Sequence, residues 1–159
     1  MMLLILKKEK SGFPDNFNQV PFERKIGIIF SLMGYDVEYK RCFQSYPVDI
    51  FIKKKQLFNK HDYWLCLINT GGNKVQKESV STLVKIRATA REELNKDPGG
   101  IFYCQGMIIS ESGFTNEAIL EARYHRIELT TLKKLIDVLE RFKKEKERLL
   151  RHMESLEKR

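Results

Sequence analysis

Cysteine and histidine are scarce in this chain, which has three of each in 159 residues. The cysteines lie far apart, and the histidines have no ligand spacing to them or to one another. Because zinc sites need closely grouped ligands, we expect no zinc site. Each cysteine falls in an apolar, strand-like stretch, which is typical of buried free thiols in a reducing compartment.

Long apolar runs are also missing from the sequence. The opening segment is apolar only from Met1 to Leu6, and Lys7 and Lys8 follow it. A signal peptide or a membrane span needs a longer apolar stretch, so we expect neither. We predict a short strand or a docking element at 2–6, in a soluble, cytoplasmic protein that does not bind membranes.

The motifs of several enzyme classes are absent as well. The glycine pairs at 71–72 and 99–100 are isolated turn signals, and neither forms a phosphate-binding loop. The sequence also lacks a Ser-x-Gly elbow and a Cys–His motif, which would have indicated hydrolysis by a protein nucleophile. The sequence therefore gives no support for an enzyme with a phosphate-binding loop or for a hydrolase with a protein nucleophile.

Positive charge is in excess. Lysine and arginine total 29 against 21 aspartates and glutamates, which gives a formal net charge of +8. Such a balance favours polyanionic partners, with nucleic acid ahead of anionic lipid. The alternative is that the extra lysines only form a solvated surface.

Alternating helical and strand-like patterns predict a mixed α/β fold. A helix is expected between Pro21, which suits a first helical turn, and Gly34, which suits a helix end. The expected strands are 35–43, 48–52, 63–68, 101–109 and 126–129, with helices at 75–94 and 116–123. This order predicts a partly parallel sheet covered by helices, in a domain that spans 1–130.

A charged helix with a heptad pattern is expected over 131–159, capped by Thr130 or Thr131. Its seam runs at alternating spacings of three and four through Leu132, Leu135, Leu139, Phe142, Lys146, Leu149, Met153 and Leu156. A helix of this length exceeds what a small sheet can cover, so the seam predicts a coiled-coil-like homo-oligomer. In the alternative, its first half packs on the domain and the remainder frays.

Two stretches of the chain carry a resemblance to a known family. They comprise Phe22-Glu23, Gly34-Tyr35-Asp36-Val37 and Val48-Asp49-Ile50 in the first, and Gly113–Ala118, Ala122, Ile127-Glu128-Leu129 and Leu132 in the second. In this order and spacing they resemble the Mrr-type branch of the PD-(D/E)xK nucleases, over most of residues 20–136. The resemblance implies a restriction-endonuclease-like fold, a mixed sheet flanked by helices.

The resemblance also implies where catalysis would occur. Members of the family hold Mg²⁺ against the scissile phosphate with an aspartate and with an acid two residues before a lysine. A glutamate on the opening helix sometimes completes the oxygen ligands of the metal. Asp49 matches the aspartate and Glu23 matches the helix glutamate, so these two are the candidate catalytic and metal-binding remnants.

The next strand departs from the motif. Aligned at its end, it has Leu67 where the acid should be and Asn69 where the lysine should be. A shift by one residue gives Cys66 and Ile68 instead. Neither pair supplies an acid followed by a lysine, so we expect a degraded site without bound Mg²⁺.

Three functions follow from these observations. The preferred one is a catalytically inactive protein that binds DNA or supports a DNA-processing or restriction assembly. Its candidate phosphate contacts are Lys53, Lys54, Lys55, Lys74, Lys77, Arg87 and Arg91. The second is an active Mg²⁺-dependent endonuclease that uses Asp49, Glu23 and groups moved to the following helix, such as Glu78 and Lys74 or Lys77. The third is a scaffold that acts through its C-terminal helix without touching nucleic acid.

Overall fold

The computed structural model describes residues 13–57, 60–95 and 101–159, so the element expected at 2–6 lies outside the described ranges. After a 3₁₀ turn at Phe17–Gln19, the helices are α1 (Phe22–Leu32), α2 (Lys77–Leu94), α3 (Asn116–His125) and α4 (Leu132–Glu157). The strands are β1 (Asp36–Tyr39), β2 (Cys42–Phe43), β3 (Tyr46–Pro47), β4 (Ile50–Lys55), β5 (Lys60–Asn69), β6 (Ile101–Ser110) and β7 (Glu128–Thr130).

Within these ranges five strands form the main sheet, in the order β1-β4-β5-β6-β7. β4 is antiparallel to both β1 and β5, with Tyr39 opposite Ile50 and Ile50 opposite Cys66. β5, β6 and β7 run parallel to one another, while β2 and β3 pair as a separate small hairpin. The expected mixed sheet flanked by helices is confirmed.

The strand expected over 35–43 is interrupted. β1 ends at Tyr39, the next residue, Lys40, has a φ of 56°, and the chain resumes a strand only at Cys42. A residue in the left-handed region cannot continue an extended strand. The expected single strand is therefore two, and β4 pairs with β1.

Different helices cover the two faces of the sheet. α1 and α4 pack on the face that carries Ile50 and Cys66, which we call the α1 face. α2 and α3 pack on the face that carries Phe51 and Leu65, which we call the α2 face. Consecutive residues of a strand alternate between the faces, which explains why strands covered on both sides have nearly continuous apolar sequences.

β5, β6 and β7 all end at one edge of the sheet, where β1 also ends and β4 begins. We call this the site edge. Because α2, α3 and α4 follow β5, β6 and β7 in turn, each of these helices begins at the site edge. Thr131, one of the two expected caps, precedes α4, and its hydroxyl accepts a hydrogen bond from Lys134 N at 3.3 Å.

The first half of α4 belongs to the core of the domain. Leu135 and Leu139 are buried against α1 and the sheet, and Leu132 and Phe142 pack against the same cluster. These four residues were expected in an oligomer seam, but their apolar surface is used within the chain. Only the later seam positions lie outside this cluster, where Leu149 and Leu156 are 44% and 53% exposed and Met153 is half-buried.

None of the helices in the described ranges is both long and apolar enough to cross a membrane.

Candidate functional site

Asp49 lies at a bend just before β4. Its backbone N–H donates to the carbonyl of Cys66 at 3.1 Å, and Ile50 also pairs with Cys66, so two consecutive residues lie opposite one. Such an extra residue shifts the alternation of side chains in the way a β-bulge does. The carboxylate Oδ2 accepts a hydrogen bond from the backbone N–H of Ile68 at 2.7 Å, which fixes the orientation of the side chain.

Lys40 joins this carboxylate to the opening helix. Its Nζ lies 2.8 Å from Asp49 Oδ1 and 3.4 Å from Glu23 Oε1. The hydrogen bond to Asp49 raises the pKa of Lys40, so the amine is an ammonium ion at neutral pH. Lys40 was not among the residues expected at the site. The sequence alone does not place Lys40 here, because its position beside Asp49 depends on the register that aligns Tyr39 with Ile50.

Glu23 approaches from the first turn of α1. Its Oε1 is buried and accepts no hydrogen bond in the part of the chain that the structure describes. The positive charge of Lys40 Nζ lies 3.4 Å from it. One turn later, Gly27 allows the close approach of β1, because a Cβ there would collide with the hydroxyl of Tyr39. The side chain of Tyr39, the last residue of β1 and the neighbour of Lys40, thereby packs against α1.

β5 supplies neither an acid nor a lysine to this cluster. Leu67 and Asn69 were expected at the two catalytic positions, or Cys66 and Ile68 in a register shifted by one residue. The structure instead has Cys66 and Ile68 on the α1 face, where Glu23 approaches, and Leu67 on the opposite face. Asn69 donates from Nδ2 to the carbonyl of Asn73 at 3.1 Å, within the turn after β5.

Cys66 is a poor substitute for the missing acid. Its side chain is fully buried, and burial, followed by the nearby charge of Asp49, raises the pKa of its thiol well above the ordinary value. The thiol therefore keeps its proton at neutral pH. A protonated thiol does not offer the hard, charged oxygen that Mg²⁺ prefers.

The donor set does not fit a resident divalent metal. Over 13–57, 60–95 and 101–159, no three His, Cys, Asp or Glu side chains converge in a way that could hold an ion. Glu23 and Asp49 each direct an oxygen to the Lys40 ammonium. The described contacts bring none of the proposed migrated groups, Glu78 and Lys74 or Lys77, to this pair. Mg²⁺ can be held by one or two carboxylates with water completing its octahedral shell, but here both carboxylates already face an ammonium ion.

Comparison with known proteins identifies the family. The model of the Mrr_cat restriction endonuclease family matches residues 14–139, which is more than half of the chain. The chain belongs to the Mrr_cat restriction endonuclease family. The resemblance seen in the sequence is thereby confirmed. No curated protein shows significant sequence similarity to the chain.

Solved structures share the fold of this Mrr_cat chain. A repair endonuclease from Pyrococcus abyssi matches with a TM-score of 0.50 and 13% identity, over 75% of this chain and 47% of that one. The protein of unknown function AF1548 matches with a TM-score of 0.52 and 12% identity, over 69% of this chain and 55% of that one. The chain thus spans about half the length of the structures it matches, and likeness at this identity shows the fold alone.

The three lysines that end β4 lie away from the carboxylates of the Mrr_cat domain. From Asp49 to Lys55 the strand rises roughly 20 Å, at about 3.3 Å per residue. Lys53 Nζ is 4.0 Å from Glu38 Oε1, and the Lys54 ammonium lies 5.2 Å from the centre of the Tyr35 ring. With Lys60, Lys54 and Lys55 line a shallow depression at the end of the sheet opposite the site edge.

Arg87 and Arg91 are also engaged within the domain. Arg87 is 9% exposed and donates from Nη1 to the carbonyl of Arg126 at 3.4 Å, and burial lowers the pKa of its guanidinium. Arg91 donates from Nε and Nη2 to the carbonyl of Cys104, at 3.3 and 2.9 Å. These contacts join α2 to β6 and to the end of α3. Arg87 is therefore buried away from a phosphate, whereas Arg91 remains exposed although part of its guanidinium is engaged.

The turns that follow β5 and β6 are bonded to each other at the site edge. The hydroxyl of Ser110 accepts hydrogen bonds from Asn69 Nδ2 and from the backbone N–H of Ser112 and Gly113. Glu111 Oε2 accepts from the backbone N–H of Gly71 at 3.1 Å. This network fixes the chain just before α2 and α3, and Lys74 and Lys77 are exposed beside it.

Proposed function

We propose that the chain is a catalytically inactive nuclease-fold protein that binds DNA at the site edge. One observation carries the loss of catalysis: on the α1 face, β5 offers Cys66 and Ile68 where the chemistry needs an acid and a lysine. Metal-dependent phosphodiester hydrolysis requires a bound ion that lowers the pKa of the attacking water. Here the two carboxylates that remain, Glu23 and Asp49, are paired with Lys40.

DNA contact is supported by the charge and the backbone geometry of the site edge. Helix N-termini carry partial positive charge and unpaired backbone N–H groups, and α2, α3 and α4 all begin there. Lys74 and Lys77 are exposed at the start of α2, in a chain of net charge +8. Because phosphate contact is largely electrostatic and independent of sequence, a restriction-endonuclease fold can keep it after catalysis is lost.

Self-association through the second half of α4 is a separate part of the proposal. Leu149, Met153 and Leu156 continue the heptad spacing beyond the residues that pack on α1. Two copies that paired here would bury these side chains and bring two DNA-binding edges into one assembly. We place this assembly in the cytoplasm, where the three free thiols would remain reduced.

The first experiment measures fluorescence anisotropy of a labelled DNA duplex with the purified protein, titrated with salt. Binding that weakens steeply as salt rises supports phosphate recognition, since each neutralised phosphate releases counterions. No binding at low salt overturns the proposal and favours a scaffold that acts through α4.

Cleavage is tested on the same duplex with Mg²⁺ and then with Mn²⁺. The proposal predicts intact DNA with either metal. Cleavage that Asp49→Ala abolishes would overturn the proposed loss of catalysis and support an endonuclease with a rearranged site.

A further inference from the structure

We propose that Lys40 takes the place of the metal ion in this site and keeps the Glu23–Asp49 pair closed to divalent cations. The inference rests on the proposed loss of catalysis. It adds a cause that can be tested without any measurement of DNA cleavage. Lys40 is then a resident cation supplied by the chain itself.

The geometry of the ammonium supports this role. Carboxylate oxygens from two separate elements, Asp49 Oδ1 and Glu23 Oε1, converge on the single Nζ at 2.8 and 3.4 Å. The other oxygen of Asp49 is held by the backbone N–H of Ile68, so Oδ1 is the one directed at Lys40. With one positive and two negative groups the cluster has a formal charge of −1, whereas without Lys40 it would have −2.

The backbone at Lys40 directs its side chain towards the site. Its φ of 56° lies in the left-handed region, which favours glycine and, after it, asparagine. Conformation alone therefore gives no reason for a lysine at this position. The backbone N–H donates to the carbonyl of Asp49 at 3.0 Å, which directs the side chain towards the two carboxylates.

Removal of the ammonium would leave two carboxylates close to each other with no cation between them, and they would repel each other. Glu23 Oε1 is buried and accepts no hydrogen bond within the described ranges, so Lys40 supplies the positive charge nearest to it. The Lys40 side chain is 62% exposed, so its truncation removes little packing and should leave the fold intact. A divalent cation would relieve the repulsion and take up the vacated position.

The test compares Mn²⁺ binding to the full chain and to variants, by electron paramagnetic resonance of free Mn²⁺ and by calorimetry. Lys40→Ala and Lys40→Gln should each bind one Mn²⁺ per chain more tightly than the unmodified protein, because no ammonium then competes for the two carboxylates. The expected gain is at least about tenfold, which corresponds to about 1.4 kcal/mol. Mn²⁺ should also raise their melting temperatures. Lys85→Ala removes an exposed lysine of α2 and serves as the charge control, with no gain expected.

The origin of any gain is checked with Lys40→Ala combined with Asp49→Asn, which should lose it. Two results would overturn the inference: no gain in Mn²⁺ affinity in either Lys40 variant while circular dichroism shows the native fold, or a gain that persists in the double variant without the Asp49 carboxylate. A failure of this kind leaves the DNA-binding measurement untouched. Cleavage of DNA by the unmodified protein would instead contradict the proposed function itself.

Discussion

The guanidinium of Arg91 donates two hydrogen bonds to a single acceptor, the carbonyl oxygen of Cys104. The contact joins α2 to the middle of the sheet and leaves less of the arginine for a ligand. An arginine on a basic helix thus serves the fold, although its position in the sequence is equally typical of a phosphate contact.

Arg91→Ala should therefore lower stability and spare DNA binding. Loss of the two charge-assisted hydrogen bonds leaves the Cys104 carbonyl without these donors, at a cost of about 1–3 kcal/mol in the free energy of unfolding. Urea denaturation measures this loss, and anisotropy measures the affinity for DNA. Arg151→Ala, at an exposed position of α4, is the matched control and should change neither quantity. An intact fold with a large loss of affinity would return Arg91 to the DNA surface.

Lys74→Ala and Lys77→Ala should have the opposite pattern. Both side chains are exposed at the site edge, so their loss should weaken binding to all duplex sequences alike. Each substitution should reduce the slope of log affinity against log salt by about 1. Melting temperatures should stay within about a degree of the parent. Lys144→Ala, far along α4, is the control, and an equal effect of all three would point to net charge as the cause.

The two halves of α4 should respond differently to substitution. Leu139 is fully buried, so Leu139→Ala should cost roughly 2–5 kcal/mol in the free energy of unfolding. Leu149→Glu combined with Leu156→Glu should leave the melting temperature of the domain unchanged but shift the mass in sedimentation equilibrium towards the monomer. If the unmodified protein is already monomeric at high concentration, the proposed self-association is wrong.

Thiol reactivity should follow burial. Cys42 is exposed, whereas Cys66 and Cys104 are buried. A thiol reagent at pH 8 should therefore modify one thiol per folded chain quickly, and the other two only after unfolding. Cys42→Ser should remove the fast phase. Fast modification of two or three thiols in the native protein would contradict the structure of the core.

Stability should also fall at high pH. Burial raises the pKa of the Cys104 thiol from 9.0 to about 11, and that of Cys66 rises as well. The unfolded thiols lose their protons at lower pH than the folded ones. Stability is therefore complete below about pH 9 and declines as the pH rises towards 11, by on the order of 2–3 kcal/mol for Cys104. Melting curves from pH 8 to 11 should show the decline, and Cys104→Ala should make it shallower.

The architecture could largely be predicted from the sequence because its signals are local. The apolar run around Cys66 predicts a strand covered on both faces, and Gly34 and Thr131 mark helix ends. These signals depend on the spacing of neighbouring residues, which the sequence displays directly. The family resemblance added the order of the elements and the positions of Asp49 and Glu23.

The residues that form the site were harder to predict, because they depend on strand register and on how far each side chain extends. The bend at Asp49 decides which residues of β5 share a face with Glu23, and no local pattern reveals such a bulge. Lys40 lies nine residues from Asp49 along the chain and contacts it only because β1 pairs with β4. Arg87, likewise, is a charged residue of the kind that usually contacts phosphate at a surface, but tertiary packing buries it.

α4 begins at the site edge and continues without a break through the residues that pack on α1 to the exposed heptad positions. Its 26 residues correspond to about 39 Å of rigid rod. In a paired assembly a fixed length of helix, and not a flexible tether, would set the distance between two bound DNA segments. Insertion of one helical turn would then lengthen that spacing by about 5.4 Å per arm.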